Sequence, residues 1–232
     1  MKWLTTNPVH VFSFENWILH TDVEDTTRDS FFNAMFTCPT MKVLELAMCD
    51  LSQLVVPSLA MTRLELRDVK LTPPGIVSLA RALAVSSVED ICLSDNNEEP
   101  PFSSRDYILA FVELFKAVGL SKVTRLVLRR CNLNDSYWPS LGPLLQQSKL
   151  QNVKLNQNGI TNDGLRHIAE AIQGNATLEE VEVGWNSITA DGARHLLTCM
   201  KHRVTNLRFL WIPPLNDLIS KEDRISINAL AK

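Results

Sequence analysis

The sequence predicts an α/β solenoid of about seven or eight stacked repeats, with a parallel inner sheet and outer helices. Three observations lead there. A template with apolar residues at positions 1, 4, 6 and 11, and often Asn or Cys at position 9, recurs along the chain. Its regular copies start at residues 61, 88, 123, 150, 178 and 207, in steps of 27, 35, 27, 28 and 29 residues. Behind the template, apolar residues recur at helical spacing.

The clearest copies are LQNVKLNQNGITNDGLRHIAEAI from Leu150 and LEEVEVGWNSITADGARHLLTCM from Leu178. Both carry Asn at position 9, then Thr, two residues and Gly, then a helical pattern. Positions 4 and 6 point the same way on a short strand, because strand side chains alternate. Position 11 ends the turn that leaves the strand. The polar group at position 9 sits where the chain turns inward, and it can satisfy otherwise unpaired backbone groups.

In chain order, an irregular copy starts at Val9 with Phe12, Phe14 and Leu19. A short copy of 20 residues holds Met41, Leu44, Leu46, Cys49 and Leu51. Met61, Leu64, Leu66 and Leu71 follow, with Val69 in the Asn position. Val88, Ile91 and Leu93 come with Asn96, and Val123, Leu126, Leu128 and Leu133 with Cys131. A weaker last copy holds Leu207, Leu210, Ile212 and Leu215. The register predicts parallel strands, adjacent in order, near 43–46, 63–66, 90–93, 125–128, 152–155, 180–183 and 209–212.

Helices are expected where Leu79, Ala80 and Leu83, and again Leu165, Ile168, Ala169 and Ile172, share a face. Thr72 before Pro73 reads as an N-cap with proline at the first helical position. Asp163 and Asp191 fall in first helical turns, where the dipole favours a carboxylate. The long step comes from NNEEPPFSSRDY, Asn96 to Tyr107, in which Ser103 or Ser104 caps the next helix. Three segments result: an irregular N-terminal repeat or cap over 1–40, repeats over 41–215, and a C-terminal cap over 216–232.

Units of 27 to 29 residues with full helices, and both Asn and Cys at position 9, resemble the ribonuclease-inhibitor-like class of leucine-rich repeat proteins. That class includes the repeats of NOD-like receptors, the Ran GTPase-activating protein and tropomodulin. The resemblance implies a leucine-rich repeat solenoid shaped as a horseshoe arc, and the fold alone does not name a function.

Composition excludes several classes. The chain has 232 residues, 45% of them hydrophobic, enough for a continuous core. A net charge of -3 offers no global basic field, so nucleic acid is not expected as a partner. No apolar run approaches the roughly 18 residues of a membrane helix, so no membrane association is expected. The five cysteines are irregularly spaced without a CxxC, which reads as reduced thiols in the cytoplasm. Two short sequons, at Asn134 and Asn175, carry little weight without a secretory leader.

No phosphate loop, GxSxG elbow or HExxH occurs, and no cofactor or catalytic residue is assigned. His167 and His195 hold the same repeat position, but equivalent points on neighbouring helices lie roughly 8–10 Å apart. Shared metal ligation would need bonds of about 2.1 Å, so no metal site is assigned.

Positions 2, 3, 5, 7 and 8 should face the concave surface. They are banded: Glu89, Asp90 and Asp95, then Arg125, Arg129 and Arg130, then Asn152, Lys154, Asn156 and Gln157. Glu179, Glu180, Glu182 and Trp185 follow, then Arg208, Phe209 and Trp211. One reading is that adjacent bands pair and only solvate the sheet. The other is a binding site for a protein partner of unknown identity, because Trp and Arg are enriched at interface hot spots. In it Trp185, Trp211 and Phe209 are anchors, Glu182 and Lys154 a polar rim, and Arg129 and Arg130 a second anchor. The class displays Trp on this face, and Trp211 in LRFLWI matches that placement by resemblance. The expected function is a non-catalytic protein-binding scaffold. A GTPase-activating regulator, with Arg129 or Arg130 as the finger, and a structural module of a larger receptor are the alternatives.

Overall fold

The computed structural model describes residues 8–16, 25–97, 102–203, 205 and 207–212. It contains eight strands: β1 (Val11–Glu15), β2 (Val43–Ala47), β3 (Arg63–Arg67), β4 (Asp90–Cys92), β5 (Arg125–Val127), β6 (Asn152–Lys154), β7 (Glu180–Glu182) and β8 (Phe209–Trp211). All pair in parallel, and their order in the sheet is their order in the chain. The register joins equal template positions, as in Leu44↔Leu64, Leu126↔Val153 and Val181↔Leu210. Each of the seven expected strands is present. The irregular copy at Val9 also contributes one, since Val11–Glu15 pairs residue for residue with Val43–Ala47.

Six helices lie behind the sheet: α1 (Asp25–Phe36), α2 (Pro73–Leu83), α3 (Ser104–Leu120), α4 (Trp138–Gln147), α5 (Asn162–Gly174) and α6 (Ala190–Lys201). The short unit forms none. There Leu51, Leu54, Val56 and Leu59 are buried by an irregular chain, and Val56 N–H donates to Ser78 Oγ of α2 at 2.9 Å. Strands need about 4.8 Å each and helices roughly 8–10 Å, so the sheet takes the inner side of the curve. One core runs the length of the stack between the layers. Leu44, Leu64, Ile91, Leu126, Val153 and Val181, all at position 4, are fully or almost fully buried.

Position 9 holds the units together. The buried Asn158 side chain accepts from the N–H groups of Cys131 (2.9 Å) and Leu133 (3.2 Å) through Oδ1. Its Nδ2 donates to Leu128 O at 2.7 Å and to Asn156 O at 3.4 Å. Asn186 does the same for the N–H groups of Asn158 and Ile160, and Asn96 for those of Val69 and Leu71. Cys131 offers only a thiol, which donates to Leu93 O at 3.1 Å. Burial pushes that thiol up to about 12.

The Thr-x-x-Gly sequence has a cause in the neighbouring unit. Asp135 accepts from Thr161 N–H (2.8 Å), Thr161 Oγ (2.6 Å) and Gly164 N–H (3.0 Å), so it caps the helix of the following unit. A Cβ at Gly164 would collide with that carboxylate. Asn162 holds the equivalent place at the next unit, accepting from Thr189 N–H at 3.0 Å and donating to Thr189 Oγ at 2.7 Å, and a Cβ at Gly192 would collide with it. Ser103 caps α3 in a reciprocal box with Asp106. Thr72 is the N-cap of α2, yet its hydroxyl donates to Ser52 O at 2.9 Å in the previous unit instead of capping. Asn175, one of the two sequon asparagines, is 2% exposed and donates to Leu145 O and Ser148 O, so the folded chain cannot present it for glycosylation. The expected C-terminal cap over 216–232 lies outside the described residues, as do Leu19 and Leu215.

Candidate functional site

The turn after each strand is built on one backbone choice. Position 8 is left-handed in seven successive units: Asn16, Met48, Asp68, Asp95, Arg130, Gln157 and Trp185, with φ between 50° and 62°. From Asn16 to Gln157 the N–H at this position donates to the position 7 carbonyl of the next unit, at 2.8–3.1 Å. A non-glycine residue pays about 1–2 kcal/mol for that conformation, and bulky residues are rare in it. The hydrogen bond to the next unit offsets the cost. The side chain is left projecting from the rim of the sheet.

The bands of charge pair with one another. Arg125 Nη1 donates to Asp90 at 2.9 Å, and Arg130 Nη1 to Asp95 at 3.3 Å. Arg63 reaches Glu65 at 3.2 Å and Asp90 at 3.8 Å, and Arg67 also pairs with Glu65. Arg208 pairs with Glu179 at 3.0 Å.

Glu182 and Glu65 are the most enclosed of these carboxylates, each at 8% exposure. Glu182 Oε1 accepts from Lys154 Nζ at 2.6 Å. Its Oε2 accepts from Arg129 Nη2 at 2.7 Å and from Asn156 Nδ2 at 2.7 Å. Arg129 therefore reaches across β6 to a residue two strands away. Burial alone would raise the Glu182 carboxyl. The bonds from Lys154, Asn156 and Arg129 outweigh it and hold the group below the usual glutamate range. The Arg129 Nε is buried without a hydrogen-bond partner among the described residues.

Aromatic residues adjoin this cluster. Asn156, 2% exposed, also accepts from Gly184 N–H at 2.7 Å through Oδ1. A Cβ on Gly184 would stand 3.0 Å from that oxygen and 3.0 Å from the Trp211 ring. Glycine at position 7 thus lets the Trp211 ring lie against the backbone of the preceding unit. Trp211 is partly buried there, whereas Trp185 is 57% and Phe209 47% exposed.

The structure gathers Arg129, Lys154 and Glu182 into one ion cluster and links it through Asn156 and Gly184 to Trp211. Trp185 follows Gly184 directly. Arg130 stands apart, tied to Asp95. Sequence reasoning placed Asn156 on this face but missed it as the hinge between cluster and ring. The signal was a glycine at position 7, where the other units carry side chains.

Other chemistry has little material. Among the described residues no three His, Cys, Asp or Glu side chains converge as metal ligands. His195 Nε2 lies 3.7 Å from Cys199 Sγ on its own helix. Among the described residues no helix is long and apolar enough to cross a membrane.

A family model described as "Leucine Rich repeat" matches residues 174–197. That span covers β7, the Asn186 turn, Thr189, Gly192 and the first two turns of α6. No match to a curated protein was found.

Proposed function

We propose that this α/β leucine-rich repeat solenoid is a non-catalytic scaffold that binds a protein partner on the C-terminal half of its concave sheet. One observation carries the reading. Trp185 is a bulky ring on a left-handed backbone, 57% exposed at the rim of the sheet. A ring placed that way costs solubility and conformational energy, and contact with a partner supplies a return. Trp211, packed against Gly184, and Phe209 extend the apolar contact. Glu182 and Lys154 form the polar rim, and the aliphatic stems of Arg129 and Arg130 form the second contact. A shallow open sheet suits a protein surface better than a small ligand, which needs enclosure. None of the five cysteines is joined in a disulfide, which fits a reducing cytoplasmic compartment.

The test is affinity capture from source cells with wild type, Trp185→Ala, Trp211→Ala and the outer-face control Glu170→Ala. A partner held by wild type and the control, and weakened by about 2 kcal/mol in each Trp variant, supports the site. A partner lost only with the control places binding on the helices and refutes it. Stimulation of a GTPase that disappears in Arg129→Ala would replace scaffold with regulator.

A further inference from the structure

Asn158 is followed by Gly159, the one Asn-Gly step in the chain. Asn-Gly is the dipeptide most prone to spontaneous cyclisation, because a successor without a Cβ lets its amide nitrogen approach the asparagine side chain. That nitrogen attacks Cγ, the bond from Cγ to Nδ2 breaks, and ammonia leaves with the proton the amide gives up. Water then opens the cyclic succinimide at either carbonyl. The product is aspartate or, with the backbone rerouted through the side chain, isoaspartate.

The structure holds the two reacting groups in opposite states. The nucleophile is free. Gly159 is exposed, its φ of 71° suits glycine, and its N–H donates to no group among the described residues. The electrophile is held. The Asn158 carboxamide is 1% exposed, with Oδ1 on the Cys131 and Leu133 N–H groups and Nδ2 on Leu128 O. To bring Cγ over the Gly159 nitrogen, the side chain must leave all three. The other two position 9 asparagines lack this pairing. Asn96 is followed by Asn97, and Asn186 by Ser187, whose N–H is already given to Ile160 O at 2.8 Å.

We infer that Asn158 is a modification site gated by local opening: it is spared while its carboxamide is held, and it deamidates once the turn after β5 lets go. The change runs one way, for a reason that lies in the product. A carboxylate has no donor for Leu128 O, which Nδ2 meets at 2.7 Å, and it would stand oxygen against oxygen. Isoaspartate also adds a methylene to the backbone in the turn where Gln157 N–H reaches Gly184 O at 3.0 Å. The joint between β5 and β6 therefore keeps a covalent record of how often it has opened. This reading is independent of the partner site on the sheet.

The test incubates the full chain at mildly alkaline pH, folded in buffer and unfolded in urea. Peptide mapping by mass spectrometry follows deamidation at each asparagine. In urea Asn158 should lead every other asparagine, and Gly159→Ala, whose folding does not matter there, should remove the lead. In buffer the step should be at least about tenfold slower, because only the open fraction reacts. Asn186→Ala frees the N–H groups of Asn158 and Ile160 while keeping the Asn-Gly step, and should raise the rate in buffer at least about threefold. Chains deamidated in urea and returned to buffer should melt at a lower temperature than chains exposed to urea only briefly, and Asn158→Asp should reproduce that lower melt. A rate in buffer equal to that in urea, another asparagine ahead of Asn158 in urea, or an unchanged melt of the deamidated chain would overturn the inference.

Discussion

Replacing Asn158 by Ala tests how the units are joined. The side chain is 1% exposed and makes four hydrogen bonds to backbone groups. The two N–H groups it serves, those of Cys131 and Leu133, are at buried residues. A buried hydrogen bond contributes about 1 kcal/mol net, and a donor left unpaired costs about 1–3 kcal/mol. Discounting the 3.4 Å contact, the loss comes to about 4 kcal/mol, near the upper end for a single substitution. Cys131→Ala removes one principal thiol contact and a small apolar volume at the equivalent position, so its cost should be about 1–2 kcal/mol. Asn158→Asp keeps the acceptor but turns a carboxylate toward Leu128 O, and should be at least as damaging as Ala at neutral pH. Urea unfolding followed by far-UV circular dichroism gives the three values. Amide exchange reads the mechanism directly, because the Cys131 and Leu133 amides should lose protection in Asn158→Ala. A loss below about 1 kcal/mol, or protection retained at both amides, would refute the argument.

The remaining predictions follow from the same contacts. Glu182 has a folded-state value below its usual one, so its stabilisation is complete above about pH 4.5 and lost as pH falls through the lower folded value; Glu182→Gln should flatten that acid limb in melts across pH. Gly164→Ala should cost about 1–3 kcal/mol by driving a methyl into Asp135, and Asp135→Ala should relieve the clash while losing the cap. Iodoacetamide at pH 8 should label Cys92 in the native protein and spare Cys49 and Cys131, whose thiols burial raises to about 11 and about 12; mass spectrometry gives the order. Trp185→Ala should leave the melting temperature within about 1–2 °C of wild type, whereas Trp211→Ala should lower it, because its ring packs on Gly184.

The sheet was legible because its signal is local and periodic. Leu150, Val153 and Leu155 identify a strand from six residues of chain, and the next copy repeats the statement. The charge cluster was not legible. Arg129 and Glu182 are 53 residues apart, and nothing in either unit says that the guanidinium crosses β6 while the carboxylate waits beyond it. Tyr107, Tyr137 and Trp138 escaped notice for another reason. They fill the core where α3 and α4 depart from the template, and Trp138 is fully buried with its indole N–H on Leu133 O. Residues just ahead of the template also went unread. Ser86, Ser121 and Ser148, each two residues before a unit begins, all donate from the hydroxyl to a carbonyl three residues back and accept the N–H of the unit's first residue. That short-range repeat lies in the sequence just ahead of the template's first position.

The clasps between units have a direction. Asn96, Asn158 and Asn186 each close the turn of the unit before their own. Asp135 and Asn162 each start the helix of the unit after. The units joined by these five residues are not finished by their own residues alone. Shortening the chain from the C-terminal side releases the turn of the last unit kept, while its helix stays capped. Shortening from the N-terminal side to the unit at Leu150 frees the start of the first helix kept, α5, and leaves the turn at Asn158 clasped by Asn186. During synthesis the same polarity sets a schedule: a helix has its cap as soon as it emerges, but its strand's turn must wait about one more unit for the asparagine that closes it.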